Sequence, residues 1–407
     1  YQTDLDAHQS TQEVVVVHRA AHETAWGLEL VDECLHIPFK IVFNKKAALV
    51  MDFQTFCRGV LYGGLLGDCY GYVFEKRAQV TPDVPIKLLN DTKNNVSSGR
   101  LVYSDDTHMG LGTLRSLRRI SGFCPEDMAR EFATNFFQDG SHRFYGGSIR
   151  RVFAKLRANQ YKNPFAYAAK QFNGGGSFGN GGAMRVSPTA LYAMNMSDTD
   201  FEDLVVNTTR LTHTHPLGIL GALLQALAVR QLWFIVSKEK DAQLNPVRFI
   251  DSLLERLAHV CCSFVNMKEP KWHEAYKSYE QRLTKVRHLL SDPKQPSVST
   301  VVSTLGNDLK AINSVPTALY AFLLSLKPIE GIDVTSIPLR CLVYCICLSG
   351  DTDTIGTMAC SLAGGLVGCS SATPGPDSPM PGVILSRCEG FNEIQDMATW
   401  LADRPAR

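Results

Sequence analysis

The sequence predicts an all-α protein, and three observations carry that expectation. From Met51 onward, amphipathic stretches at helical spacing dominate the chain. Alternating strand patterns are scarce. Small residues recur at every fourth position in two separate segments, which marks helix faces that another helix can approach closely. The 407 residues are 45% hydrophobic, enough to bury a large core.

Residues 1–50 lack clear periodicity apart from a valine run at 14–17, and are set apart as an N-terminal extension without an assigned role. Residues 51–407 are read as a single domain. Its first helix carries Gly59, Gly63, Gly67 and Gly71 on one face and closes on Glu75. The same device returns at Gly356, Cys360, Gly364 and Gly368. Glycine costs roughly 1 kcal/mol of helix propensity against alanine, so tight packing must offset these runs and both helices are expected deep in the domain.

Ser104 or Asp105 can cap a helix over about 107–119, and Ser187-Pro188 reads as a cap followed by proline at the first helical position. The apolar run 217–236 has the length of a membrane span, yet Gln225, Arg230 and Gln231 interrupt it. A buried core helix without membrane contact is expected. Residues 371–382, with four prolines and two glycines, read as a surface loop before a short final helix at about 392–401.

A formal net charge of +1 gives no overall field for nucleic acid or an anionic membrane, so any anionic ligand must be held locally. The twelve cysteines show no Cys-x-x-Cys pair and read as buried free thiols in a reducing compartment. No export leader is read at the N-terminus.

Two acid-rich turns, Ser104-Asp105-Asp106-Thr107 and Gly350-Asp351-Thr352-Asp353-Thr354, concentrate carboxylates and hydroxyls. Either one alone is an ordinary helix cap, favoured by the free amides of a first turn. If they converge, four anions crowd one site and need protons or cations to offset them; hard oxygen donors of this kind suit Mg²⁺ or Ca²⁺. Glu75 is a fifth candidate acid. Between residues 174 and 182 six of nine positions are glycine, a backbone able to cradle phosphate oxygens, although no Gly-Lys-Ser/Thr follows. His213-x-His215 precedes Pro216 as a metal half-site, a polar helix start or a hydrogen-bonding pair toward ligand, and His108 is read as structural.

Together these residues resemble the ADP-ribosylglycohydrolase family, in order from about Phe56 to the C-terminus. The resemblance rests on Gly63 to Asp68, Tyr103 to Thr107, Phe172 to Arg185, Leu211-Thr212-His213, Ser314 to Ala318, Gly350 to Ile355 and Ser386 to Gly390. It implies an orthogonal all-α bundle with two Mg²⁺ ions held by Ser104, Asp105, Asp106, Asp351, Asp353 and Thr354, and Glu75 on a segment that gates or completes the site. It also implies a diphosphate on Gly176, Ser177, Phe178, Gly179 and Asn180, an adenine against Phe172 and Phe178, Gly146 and Gly147 on the adenosine side, and His213 near the diphosphate or ribose. Ser104 stands where the family usually has threonine, and Phe178 where it has tyrosine.

The implied reaction is hydrolysis at the anomeric carbon of ribose, with Glu75, Asp351 or Asp353 as the base. The form of the second turn is similar to the type acting on O-linked ADP-ribose: serine-linked, in poly(ADP-ribose), or in O-acetyl-ADP-ribose. An arginine-specific hydrolase and a silent ADP-ribose-binding or structural member are the alternatives. The expected setting is a monomer in nucleus and cytoplasm, extending to the mitochondrial matrix, that serves DNA repair without sequence-specific nucleic-acid binding.

Overall fold

The glycine faces read from the sequence turn out to face each other. Helix Phe53–Tyr72 runs antiparallel to helix Thr352–Val367 so closely that a Cβ on Gly63 would stand 2.0 Å from the Cys360 carbonyl oxygen, and one on Gly67 2.2 Å from that of Gly356. Backbone touches backbone along the full seam, and only glycine permits this. The pairing brings the C-terminal end of the first helix to the N-terminal end of the second, so Gly71 meets Thr352.

The computed structural model describes residues 50–96, 99–238, 243–263 and 269–404. The extension assigned to residues 1–50 therefore lies outside them, apart from Val50. Among the described residues there are sixteen α-helices and no β-strand, as the helical periodicity of the chain predicts. Residues 48–407 cluster as one unit around a continuous apolar core.

Helix Pro216–Val236 is the apolar run of the sequence, and 78% of its most apolar window is buried inside the bundle. Its polar interruptions have partners: Gln225 donates to the Met358 carbonyl at 3.0 Å, and Arg230 donates to the Met196 carbonyl at 2.8 Å and pairs with Asp198. Each of Gln225, Arg230 and Gln231 thus makes at least one hydrogen bond inside the bundle, although Gln225 Oε1, Gln231 Oε1 and Arg230 Nε stay without one, a cost that the burial of the apolar residues around them offsets. The final helix spans Phe391–Ala402, and residues 371–381 form the irregular segment expected of their prolines. One detail differs. Ser187 does not cap its helix, because Val186 holds the cap position and the Ser187 hydroxyl instead pairs with that of Ser361 at 3.2 Å. All eleven described cysteines are free, and nine are buried.

Candidate metal centre

The site grows from two helix N-termini. Helix Asp105–Ile120 begins at Ser104, whose hydroxyl accepts from the Asp106 amide at 3.2 Å. The deeper anchor is Asp68, a fully buried acid on the first glycine helix. Its two carboxylate oxygens accept from the Ser104 amide at 2.8 Å and the Thr107 amide at 2.9 Å. Asp68 thus takes over the capping work and frees Asp105 and Asp106 from it. The Asp105 amide donates to the Arg143 carbonyl at 2.7 Å, and the Arg143 guanidinium bonds Glu389 and the Tyr103 carbonyl. The sequence places Asp68 at the end of the Gly63 to Asp68 segment without a role at the site; an acid between two glycines of a close-packed face was the available signal.

Gly350 introduces the second turn at φ +71°, where a Cβ would strike the Asn307 carbonyl at 2.3 Å. The Asp351 amide donates to that same carbonyl at 2.9 Å. Thr352 anchors the turn to the first helix through its hydroxyl, which donates to the Gly71 carbonyl at 2.9 Å. Glu75 accepts from the Thr352 amide at 3.1 Å and caps the helix that Asp353 belongs to. Asn307 and Thr352 are further residues whose roles only the tertiary contacts disclose.

The two turns converge. Thr354 donates its hydroxyl to Asp106 Oδ1 at 3.2 Å, and Glu75, Asp351 and Asp353 each bring an oxygen within 4.8 Å of the others. Asp106 Oδ2 is buried with no hydrogen-bond partner. Burial raises the carboxyls of Asp105, Asp106 and Asp353 well above the usual range, and neighbouring acids add to the effect. Glu75 and Asp351 are raised for the same first reason. An orphaned buried carboxylate oxygen beside converging hard donors fits a divalent cation, which offsets both the desolvation and the mutual repulsion.

Beside the acids, the glycine-rich loop turns on Gly176 at φ +75°, packed so that a Cβ would meet Thr214 Oγ1 at 2.2 Å. Ser177 is buried; Gly179 is partly open. Phe178 is half-buried between Phe172, at 5.6 Å, and His215, at 5.8 Å, while Phe172 is 56% exposed. Asn180 does not face outward. Its amide donates to Asp351 Oδ2 at 2.5 Å and to Ser314 Oγ at 3.0 Å, so the loop is tied directly to a proposed metal ligand. His213 lies against Gly181 with Nδ1 2.8 Å from Thr212 Oγ1, and burial together with Arg185 presses its pKa down to about 3. Gly146 and Gly147 are exposed with open space around them, and Ser148 bonds Gln171 at 2.7 Å, linking their loop to Phe172. His108 pairs through Nδ1 with the Tyr145 hydroxyl at 3.0 Å.

A helical bundle with this acid centre beside a glycine-rich cradle has a counterpart among known proteins. Residues 51–407 match the family model described as ADP-ribosylglycohydrolase, and the chain belongs to that family. It is thus a hydrolase acting on glycosidic bonds of ADP-ribose. The chain is 36% identical over 347 residues to ADP-ribosylhydrolase ARH3 of Xenopus tropicalis, covering 83% of this chain and 92% of that protein. Against ADP-ribosylhydrolase ARH3 of Mus musculus it is 37% identical over 351 residues, covering 84% and 89%. A solved structure titled "ADP-ribosylglycohydrolase-related protein complex" superposes with a TM-score of 0.55 at 18% identity, covering 86% of this chain and 98% of that one, a likeness of fold.

Proposed function

We propose that the protein is a Mg²⁺-dependent hydrolase that releases O-linked ADP-ribose, from serine, from poly(ADP-ribose) and from O-acetyl-ADP-ribose, by cleavage at the anomeric carbon. The observation that carries this reading is the joining of the two acid turns around the unpartnered Asp106 Oδ2. Relatives that bear the name ADP-ribosylhydrolase ARH3 at 35–37% identity support it, and so does the Thr352-Asp353-Thr354-Ile355 form of the second turn.

Ser104, Asp105, Asp106, Asp351, Asp353 and Thr354, with Glu75, would hold two Mg²⁺ ions. Bound there, the metal supplies Lewis-acid stabilisation of the departing oxygen and lowers the pKa of water. The chain's own groups do the rest. In the expected cradle the amides of Gly176, Gly179 and Asn180 already donate to the Gln171 carbonyl, Ser177 Oγ and the Leu309 carbonyl, so those of Ser177 and Phe178 are the ones left to hold the diphosphate and thereby fix the distal ribose over the acids. Asn180 keeps the Asp351 carboxylate oriented. Glu75 is half-buried while Asp351 and Asp353 are buried, so Glu75 is the acid with room to take the proton of an attacking water. Buried carboxylates nearby stabilise the oxocarbenium character that develops at the anomeric carbon.

The test is hydrolysis of serine-linked and arginine-linked ADP-ribosyl peptides with Mg²⁺ or with EDTA. Release from serine only, and only with Mg²⁺, is the expected result. Release from arginine, or ADP-ribose binding without turnover of either peptide, overturns the proposal in favour of the arginine-specific or the silent reading.

A further inference from the structure

Between Asp139 and Asp198 the chain contains no aspartate or glutamate, although its overall charge is nearly balanced. This acid-free stretch includes Gly146, Gly147 and the whole glycine-rich loop. It also includes Arg150, Arg151, Lys155, Arg157, Lys162 and Lys170, all exposed and none in an ion pair among the described residues. Helix Ile149–Ala158 concentrates four of them. Ile149, Val152, Phe153 and Leu156 face the core, which leaves Arg150, Arg151, Lys155 and Arg157 to solvent.

Two features of this helix work against its own stability. Arg150 and Arg151 occupy the first turn, where the helix dipole disfavours cations, and no acid stands there to offset them. Four unpaired cations on one short helix also repel one another. Aromatic rings interleave with the charge: Arg157 lies over Phe137 at 5.4 Å and Lys170 over Tyr167 at 5.8 Å. The surface also begins at the rim of the acid centre. The preceding loop places Phe144 in a stack on Tyr72 at 4.5 Å, three residues before Glu75, and Ser148 is bonded to Gln171 beside Phe172. Ten residues at 1.5 Å each carry the basic face roughly 15 Å outward from that rim.

We infer that this face is a binding track for a polyanionic chain whose end unit occupies the candidate site. Given the proposed function, on which the identity of the occupant rests, that chain is the remainder of an ADP-ribose polymer, with two phosphates and an adenine in every unit. Cations positioned beside aromatic rings suit that alternation, and a mononucleotide-sized substrate does not reach them.

The experiment uses the full chain carrying Arg150→Glu, Arg151→Glu and Lys155→Glu together. Acids at 150 and 151 favour the first turn while the acid at 155 opposes the dipole in the last, so the variant's Tm is expected to change little, and Arg150→Gln, Arg151→Gln, Lys155→Gln is a milder companion. Binding of fluorescent poly(ADP-ribose) is measured by anisotropy between 50 and 200 mM salt (roughly the range over which phosphate contacts are read). The acidic variant is expected to bind at least about tenfold more weakly, with a shallower salt dependence, and the glutamine variant in between. The KM for polymer should rise while turnover of a mono-ADP-ribosyl peptide stays unchanged. Polymer binding that is indifferent to the substitutions overturns the inference, and so does tighter binding of single-stranded DNA of equal length. Because binding is read without turnover, an inactive wild-type protein that still loses polymer affinity on charge reversal supports the track while sinking the proposed reaction.

Discussion

Asp68 shows how one residue governs a site it does not enter. Both of its oxygens are consumed by the amides of Ser104 and Thr107, with no exposure to solvent. Asp68→Asn retains an acceptor but turns an amide NH₂ toward a backbone N–H, so a loss of about 2 kcal/mol in denaturant stability is expected, from one unsatisfied buried donor pair. Turnover should fall with it; a variant that is destabilised yet fully active would show that the first acid turn does not depend on this anchor. Asp351→Ala and Asp353→Ala are expected to abolish turnover with unchanged helical circular dichroism, since each removes a crowded anion rather than a core contact. A second residue-scale prediction concerns His108. Burial, then Arg143, lowers its pKa to about 4 against 6.5 in the unfolded chain. The unfolded state therefore binds the proton first, and the contribution of this group to stability is full above pH 6.5 and lost as pH falls toward 4. Between pH 7 and pH 5, His108→Gln should lose about 2 kcal/mol less stability than the wild type.

At the scale of elements, the glycine seam sets the geometry. Gly63→Ala would put a Cβ 2.0 Å from the Cys360 carbonyl oxygen and should cost about 3 kcal/mol or prevent folding. Gly64 is its built-in control. A Cβ there meets nothing nearer than Ser361 Cβ at 3.7 Å, so Gly64→Ala is expected to be neutral or to stabilise by up to about 1 kcal/mol. Equal losses in the two variants, measured by thermal unfolding, would mean that helix propensity and not close approach decides this seam. The seam also explains the placement of the acids. With the helices antiparallel, Glu75 just past one end caps the start of the other, and the N-terminal half-charges of helices Thr352–Val367 and Asp105–Ile120 both favour anionic side chains where the acids gather.

For the molecule as a whole, the acid centre links stability to cation and proton concentration. In the metal-free protein the carboxyls of Asp106 and Asp353 are raised above their unfolded values, so the stability they contribute is present at low pH and is lost as pH rises through their folded pKa values. A cation that binds only the folded state adds RT ln(1 + [L]/Kd), about 2.7 kcal/mol at a hundred times Kd. The Tm is therefore expected to rise on adding Mg²⁺ at pH 7.5 and to rise less at pH 5, where protons compete. A Tm indifferent to Mg²⁺ at both pH values would count against the metal assignment. The rest of the bundle supplies rigidity: helix Pro216–Val236 passes through the core from the glycine loop, with Gln225 bonded to the backbone of helix Thr352–Val367.

Much of this protein was legible before any coordinates. Helical periodicity, the four-residue glycine spacing and the two acid turns are local properties, because they depend on side chains a few positions apart on one element, and they led to the all-α class, the close-packed helices and the proposed metal ligands. What the sequence could not supply was the pairing of distant elements. That the two glycine faces meet each other, that Asp68 caps a helix 37 residues further on, and that Asn180 turns inward to Asp351 are contacts across the fold, set by how the whole core closes. The convergence of the two acid turns belongs to the same kind. Local spacing makes each turn a competent helix cap; only the antiparallel packing of Phe53–Tyr72 on Thr352–Val367 sets their carboxylates against one another, and with that juxtaposition a pair of caps becomes a site that calls for a cation.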